Sequence, residues 1–402
     1  LPHLDEPNGH DPHIKAPGGW VCRTDKDGKE FELFAVGLRN CYDLAFGPEG
    51  ELFTYDSDME WDVGAPWYRP TRVLHLVSGA DYGWRNGSAK WNADWPDTLP
   101  SVVDLGLGSP TGVLYGNELA FPERYRRALF CADWAYGKVH CVTLTPRGSS
   151  FGGTSEVFVS GKPFPVTDLV AGDDGALYVT TGGRQTQSGL YRITWVGDAK
   201  RAPLDKREHL TSQAMASSGS AREERRKSAD AHRHEVGSGA ARVRTDMDVH
   251  ELPRRIQRLA SPDPYVAETA RVALEVAGVL GGASPHVEGH LVSDALQTPS
   301  GAVARLHARG REAGSEVLER LKAVDFRVEN PAAQIDWLRV LQLTLIRCGP
   351  LELAARERFA ESLSPLLDGA IQRAKRAPAT TPNPENANAA LDPDVNLRRE
   401  LV

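Results

Sequence analysis

Tyr42-Asp43-Leu44-Ala45-Phe46-Gly47-Pro48-Glu49-Gly50-Glu51-Leu52-Phe53 reads as a strand, a tight turn and a second strand. Thr167-Asp168-Leu169-Val170-Ala171-Gly172-Asp173-Asp174-Gly175-Ala176-Leu177-Tyr178 says nearly the same thing further along the chain. In each, apolar residues flank a Gly-bearing turn, the local signature of a hairpin. A fixed unit that recurs marks a repeat architecture. A looser third copy begins at Pro110-Thr111-Gly112-Val113-Leu114 and continues into Leu129-Phe130-Cys131-Ala132-Asp133. The period is about 55 to 70 residues, enough for a four-stranded sheet with one long loop. Four-stranded units in tandem indicate a β-propeller. A β-sandwich with accidental turn similarity is the alternative. About three units do not close a ring, so a partial propeller is expected.

Outward from this phrase, residues 19 to 196 are β territory. Asp27-Gly28, Ser78-Gly79, Tyr136-Gly137 and Ser188-Gly189 punctuate further short β-branched and aromatic runs. These runs predict strands at Phe31-Val36, Leu52-Tyr55, Arg72-Val77, Ala128-Ala132, Lys138-Leu144, Glu156-Ser160, Leu177-Thr181 and Leu190-Trp195. From 198 to 250 Gly, Ser, Ala, Lys, Arg and His dominate, and the strand period is lost. Arg222-Glu223-Glu224-Arg225-Arg226-Lys227 reads as one solvated helix in a linker. Beyond 251 the chain turns helical. Ser261-Pro262-Asp263-Pro264 opens a helix, and others are predicted over Pro285-Ala295, Gly301-Glu312, Gly314-Ala323, Ala332-Cys348 and Leu351-Leu367. Helices of this length with short polar breaks point to an α-solenoid. The expected organisation is therefore multidomain, all-β then all-α: propeller blades over 1–197, a partly helical linker over 198–250, and helical repeats over 251–402. Residues 376 to 394 read as a loop.

The chain has 402 residues, 41% hydrophobic and 25% charged, with a net charge of -7. That acidity argues against nonspecific nucleic-acid binding. The one basic candidate, Asp198 to His250, holds 11 Lys/Arg against 9 Asp/Glu, a balance of only +2. No apolar run reaches the length of a membrane span. Leu1 to Trp20 lacks the basic and apolar pattern of a leader and reads as the middle of something, and Asn396 to Val402 reads as a helix cut short, so a fragment is expected. Cys22, Cys41, Cys131, Cys141 and Cys348 form no C-x-x-C, which disfavours a zinc knuckle or covalent haem within the chain. Cys131 and Cys141 flank Tyr136-Gly137 and are candidates to face each other across a hairpin. Two free buried thiols are the alternative.

Chemistry gathers at the first copy of the repeat. Arg39-Asn40 precedes the strand that would line a propeller channel, and Arg offers a planar fork of donors suited to carboxylates. A role in bonding loop carbonyls is the alternative. After the second strand, Asp56, Ser57 and Asp58 open an oxygen-rich run that continues through Glu60 and Asp62. Calcium takes such ligands, although this is not an EF-hand. Carboxylates paired with Arg69 or Arg72 are the alternative. Arg184 follows a strand end at an equivalent place. Trp61, Trp67, Trp84, Trp91 and Trp95 cluster in the long loop, either flooring a pocket or packing that loop down. No nucleophile or phosphate-loop motif occurs, and no catalytic residue is assigned.

Arg39-Asn40-x-x-Asp43-Leu44-Ala45-Phe46-x-x-x-Gly50-x-Leu52, followed by Val73-Leu74-His75-Leu76-x-x-Gly79-x-x-Tyr82-Gly83-Trp84, resembles the soluble quinoprotein glucose/sorbosone dehydrogenases. Tyr55 to Asp62 with Pro66-Trp67-Tyr68-Arg69-Pro70-Thr71-Arg72 resembles large exported planctomycete proteins often named membrane-bound dehydrogenases. The resemblance implies a six-bladed propeller joined to HEAT-like repeats. It also implies oxidation of a sugar or other alcohol, pyrroloquinoline quinone at Arg39, Asn40 and Arg184, and calcium at Asp56, Ser57 and Asp58. A periplasmic or extracellular location and a cytochrome-type electron acceptor follow from it. Haem would belong only to a region absent from this chain, and the catalytic His to an earlier blade. The sequence departs from the pattern at Ala135, Pro165 and Thr167, where the family has basic residues. A non-enzymatic scaffold that binds polysaccharide or protein is the other reading.

Overall fold

The computed structural model describes residues 19–58, 68–84, 95–183, 185–196, 222–223, 225, 252–276, 289–326 and 330–376. Strands β1 (Gly19–Thr24) and β2 (Phe31–Leu38) form an antiparallel hairpin. Strands β3 (Leu44–Phe46), β4 (Leu52–Asp56) and β5 (Thr71–Leu76) follow as a meander. The short β6 (Ala80–Asp81) returns to lie parallel to β2, and β7 (Val103–Gly106) completes the first four-stranded sheet against β5. The second sheet runs β8 (Pro110–Tyr115), β9 (Ala128–Asp133), β10 (Lys138–Arg147) and β11 (Ser150–Ser160), with a one-turn helix α1 (Glu123–Arg126) between its first two strands. The third consists of β12 (Val166–Ala171), β13 (Leu177–Gly183) and β14 (Thr186–Ile193).

These three sheets are antiparallel meanders in chain order, the first skipping only β6, and their leading strands β3, β8 and β12 lie side by side. That is the arrangement of consecutive propeller blades. The repeated phrase explains the repeated geometry. Gly50 and Gly175 both adopt left-handed backbone, with φ of 76° and 74°. Both turns close by the same pair of hydrogen bonds. Gly47 N–H donates to the Glu51 carbonyl and Gly172 N–H to that of Ala176, while Gly50 and Gly175 donate back to Gly47 and Gly172. Glycine takes this conformation at little steric cost.

The second sheet is covered on both faces, so its sequence loses strict alternation. Phe53, Tyr55, Val73, Val113, Leu129, Cys131 and Val142 form the core between the first and second sheets. Phe130, Ala132, Val139, Cys141, Val166, Leu177 and Val179 form the core between the second and third. Phe53 and Phe130 are fully buried, each contributing roughly 1.5–3 kcal/mol. Cys131 and Cys141 therefore lie on opposite faces of one sheet. The register pairs Cys131 with His140 and Cys141 with Phe130, because the hairpin closes on Asp133 and Lys138 rather than symmetrically about Tyr136-Gly137. Both thiols are free.

The helices are α2 (Leu252–Arg258), α3 (Pro264–Val276), α4 (Gly289–Ala295), α5 (Pro299–Arg309), α6 (Gly314–Lys322), α7 (Pro331–Cys348) and α8 (Leu353–Arg376). Thr298 and Asn330 cap α5 and α7 by accepting the N–H of Gly301 and Ala333, each before a proline in the first turn. Alternate helices touch, α3 with α5 and α5 with α7.

The helical part is anchored to the first two sheets through buried polar contacts. Asp263, at the start of α3, accepts the N–H of Tyr265 and also the N–H and hydroxyl of Ser149. Arg339 of α7 pairs with Asp97, both fully buried, and lies 3.9 Å over the Trp95 ring. Trp95 thus packs its loop onto the helices. Arg222 and Arg225 are buried rather than solvated, against the expectation for this segment. Their three-residue spacing puts both on one helix face, where they bond Glu49 and Glu51 of the first repeated turn. His75 stacks between Phe53 and Tyr265 and bonds Glu51 and Ser150. Burial raises the Glu51 carboxyl, but His75 and Arg225 outweigh it and bring the group down to about 2.

Candidate functional site

Antiparallel pairing puts the start of each sheet's first strand beside the end of its second. Leu44 pairs with Thr54, Pro110 with Asp133 and Val166 with Thr181. The ends of β4, β9 and β13 therefore share one rim of the arc. Aligned on Leu52, Leu129 and Leu177, the equivalent rim residues are Asp56, Asp133 and Thr181. Arg39, Asn40, Asp56, Ser57 and Asp58 all lie at this end of the first sheet. Arg184 lies outside the described residues, as do Trp61, Trp67 and Trp91.

Asp56 organises the first rim position. It is fully buried. Its Oδ1 accepts the N–H of Asn40 at 2.9 Å, of Ser57 at 3.0 Å and of Arg39 at 3.1 Å. Its Oδ2 accepts the Arg39 N–H at 3.1 Å and an Arg72 guanidinium N–H at 3.0 Å. Arg72 sits opposite Asp56 in the β4–β5 register and is itself buried. Two backbone amides of the Arg39-Asn40 pair are thus clamped to the strand end. Arg39 is half-buried and Asn40 exposed at the rim. Ser57 donates weakly, at 3.4 Å, to the Asn40 carbonyl.

Asp133 repeats the brace on the second sheet. Its Oδ1 accepts the N–H of Ser109 at 2.8 Å, of Ala135 at 3.0 Å and of Tyr136 at 3.3 Å. Its Oδ2 is buried without a hydrogen-bond partner among the described residues. Burial raises the carboxyl above its ordinary value, more than the three N–H groups and the charge of Lys138 lower it. Beside it, the Tyr55 hydroxyl bonds Thr71, which donates to the Gly106 carbonyl. A side chain at Gly108 would come within 2.8 Å of the Tyr55 hydroxyl, so the loop between the sheets needs glycine there.

Aromatic side chains surround these aspartates. The Tyr68 hydroxyl bonds Asp58, and burial together with the Asp58 charge pushes the phenol far above its usual range. Trp134 donates to the Gly182 carbonyl at 2.7 Å and ties the second sheet to the third. Tyr136 is exposed, with the Lys138 ammonium 5.3 Å from its ring centroid. The sequence alone assigns no site role to Asp133, Trp134, Tyr136 or Tyr68. The signal for Asp133 was present, since Leu129 to Asp133 aligns with Leu52 to Asp56.

The donor set at Asp56 does not suit a metal ion. All its bonding positions are taken by amides and a guanidinium, and a second cation would meet Arg72. Among the described residues, no group of three or more His, Cys, Asp or Glu is placed to hold a metal. Arg39 and Asn40 bring a guanidinium and a side-chain amide to this rim, the donor types that carboxylates accept from.

The chain is similar in part to solved sugar dehydrogenases. A putative oxidoreductase from Thermus thermophilus, described as a glucose dehydrogenase, is 24% identical, over 40% of this chain and 47% of that one, with a TM-score of 0.33. The PQQ-bound form of an aldose sugar dehydrogenase from Streptomyces coelicolor is 16% identical, over 44% of this chain and 51% of that one, with a TM-score of 0.34. Another glucose dehydrogenase is 20% identical, over 42% and 49%, with a TM-score of 0.33. The chain spans about half the length of these structures. No protein-family model and no curated protein matches it. No helix among the described residues is long and apolar enough to cross a membrane.

Proposed function

We propose that the rim of this arc is one side of a ligand mouth in a quinoprotein-dehydrogenase-like protein that oxidises a sugar or other alcohol. The observation that carries this reading is the Asp56 clamp, which fixes the backbone of Arg39 and Asn40 together at the rim end of the first sheet. Arg39 and Asn40 would hold a carboxylate of pyrroloquinoline quinone, with Arg184 as a further donor. Bound there, the quinone would supply a hydride acceptor. Six-bladed closure, HEAT-like repeats in the helical part, a periplasmic or extracellular location and a cytochrome-type acceptor belong to the same proposal. Calcium at Asp56, Ser57 and Asp58 is left out of this proposal, since the Asp56 carboxylate already pairs with Arg72.

A scaffold for polysaccharide is the second reading. Ala135, Pro165 and Thr167 favour it, since they withhold the further cations a quinone tricarboxylate calls for. Exposed Tyr136 and partly exposed Tyr68 at the same rim offer faces on which sugar rings stack. Dye reduction by the full-length protein with pyrroloquinoline quinone and a panel of aldoses and alcohols separates the two. Quinone- and substrate-dependent reduction that Arg39→Ala abolishes supports the dehydrogenase. Retention on immobilised polysaccharide without any such reduction supports the scaffold.

A further inference from the structure

We infer that Arg72 is the built-in cation of the Asp56 site, so that the Arg39-Asn40 rim is assembled without a divalent metal and Asp56 is its positioning residue. The inference rests on the surroundings of Asp56 alone and stands whichever ligand the mouth takes. Asp56 and Arg72 are 0% and 3% exposed in their side chains, and their 3.0 Å contact is a buried ion pair. The remaining acceptor positions of Asp56 are filled by three backbone N–H groups, from Arg39, Asn40 and Ser57. A carboxylate so placed does what a metal-bridged carboxylate would do: it fixes the direction of the loop that presents Arg39 and Asn40. The second sheet supplies an internal control. Asp133 makes the same three-amide brace, but Lys138, at the register position of Arg72, makes no bond to Oδ2, which is left without a partner among the described residues. The brace thus recurs without a metal, and of the two copies the first has the bonded cation.

Two readouts on this chain test the inference. Calcium up to millimolar concentration, compared with chelator, should leave the melting temperature of the parent protein unchanged. A saturable upward shift with calcium that Asp56→Asn removes would overturn it. Amide hydrogen exchange tests the positioning role. In Asp56→Asn the amides of Arg39 and Asn40 should exchange roughly tenfold faster or more, while the β9–β10 amides keep their protection. Arg72→Lys, which keeps the charge, should retain most of that protection. Unchanged exchange at Arg39 and Asn40 in a folded Asp56→Asn protein would overturn the role.

Discussion

The first and second sheets carry the same device and finish it differently. Asp56 and Asp133 both end the second strand of a four-stranded meander, and both gather three backbone N–H groups from the rim. Asp56 is closed by Arg72. The second oxygen of Asp133 is closed by nothing among the described residues. The third sheet has Thr181 in their place. The shared part of the device is therefore the amide brace, which shapes the loop. The charge partner is the variable part, and it decides whether the brace ends in a fixed ion pair or in a carboxyl with a raised pKa. Fixed geometry falls beside Arg39 and Asn40, the pair proposed above to orient a ligand.

Breaking the ion pair should have the largest effect. Arg72→Met strands a buried carboxylate, and a loss of about 3–5 kcal/mol is expected in denaturant unfolding. A loss under about 1 kcal/mol would mean that water or another group already neutralises Asp56.

The two repeated turns sharpen the comparison at a smaller scale. Gly50→Ala meets no atom within 4 Å and should cost about 1 kcal/mol for its left-handed backbone alone. Gly175→Ala carries the same backbone cost, and its Cβ would also lie 2.5 Å from the Ala120 Cβ. It should therefore be clearly the worse of the two in thermal melts. Equal effects would mean that the third sheet shifts freely against the second.

The smallest effect is expected at Asp133, and it is one of pH. A carboxyl whose pKa is raised in the folded state favours folding in its protonated form, so its contribution is lost as pH rises from the ordinary carboxyl range through the raised value. Asp133→Asn mimics the protonated form. Its stability relative to the parent should climb as pH rises from acid toward neutrality. A difference independent of pH would show that Asp133 has a partner in solution.

The arc is readable in the sequence because its turns are local. Gly50 and Gly175 must be left-handed, and that need is written into the repeated phrase. The Asp56 to Arg72 pairing is also within reach, as one of two readings of the acidic run, since β4 and β5 are adjacent. Asp133 is harder to find, because the second copy has α1 and its flanking loop where the others have a tight turn. The docking of the helices is illegible. Glu49 with Arg222, Asp97 with Arg339 and Ser149 with Asp263 join residues far apart in the chain, and such pairs leave no periodic trace. For that reason Arg222 and Arg225 read as surface charge on a solvated helix, although both are buried.

Titration of the protein with pyrroloquinoline quinone, followed by tryptophan fluorescence in chelator and again in calcium, tests the mouth most directly. Saturable binding of equal strength in both conditions, lost in Arg39→Ala, is the expected result. Absence of saturable binding, or binding that appears only when calcium is added, would contradict it.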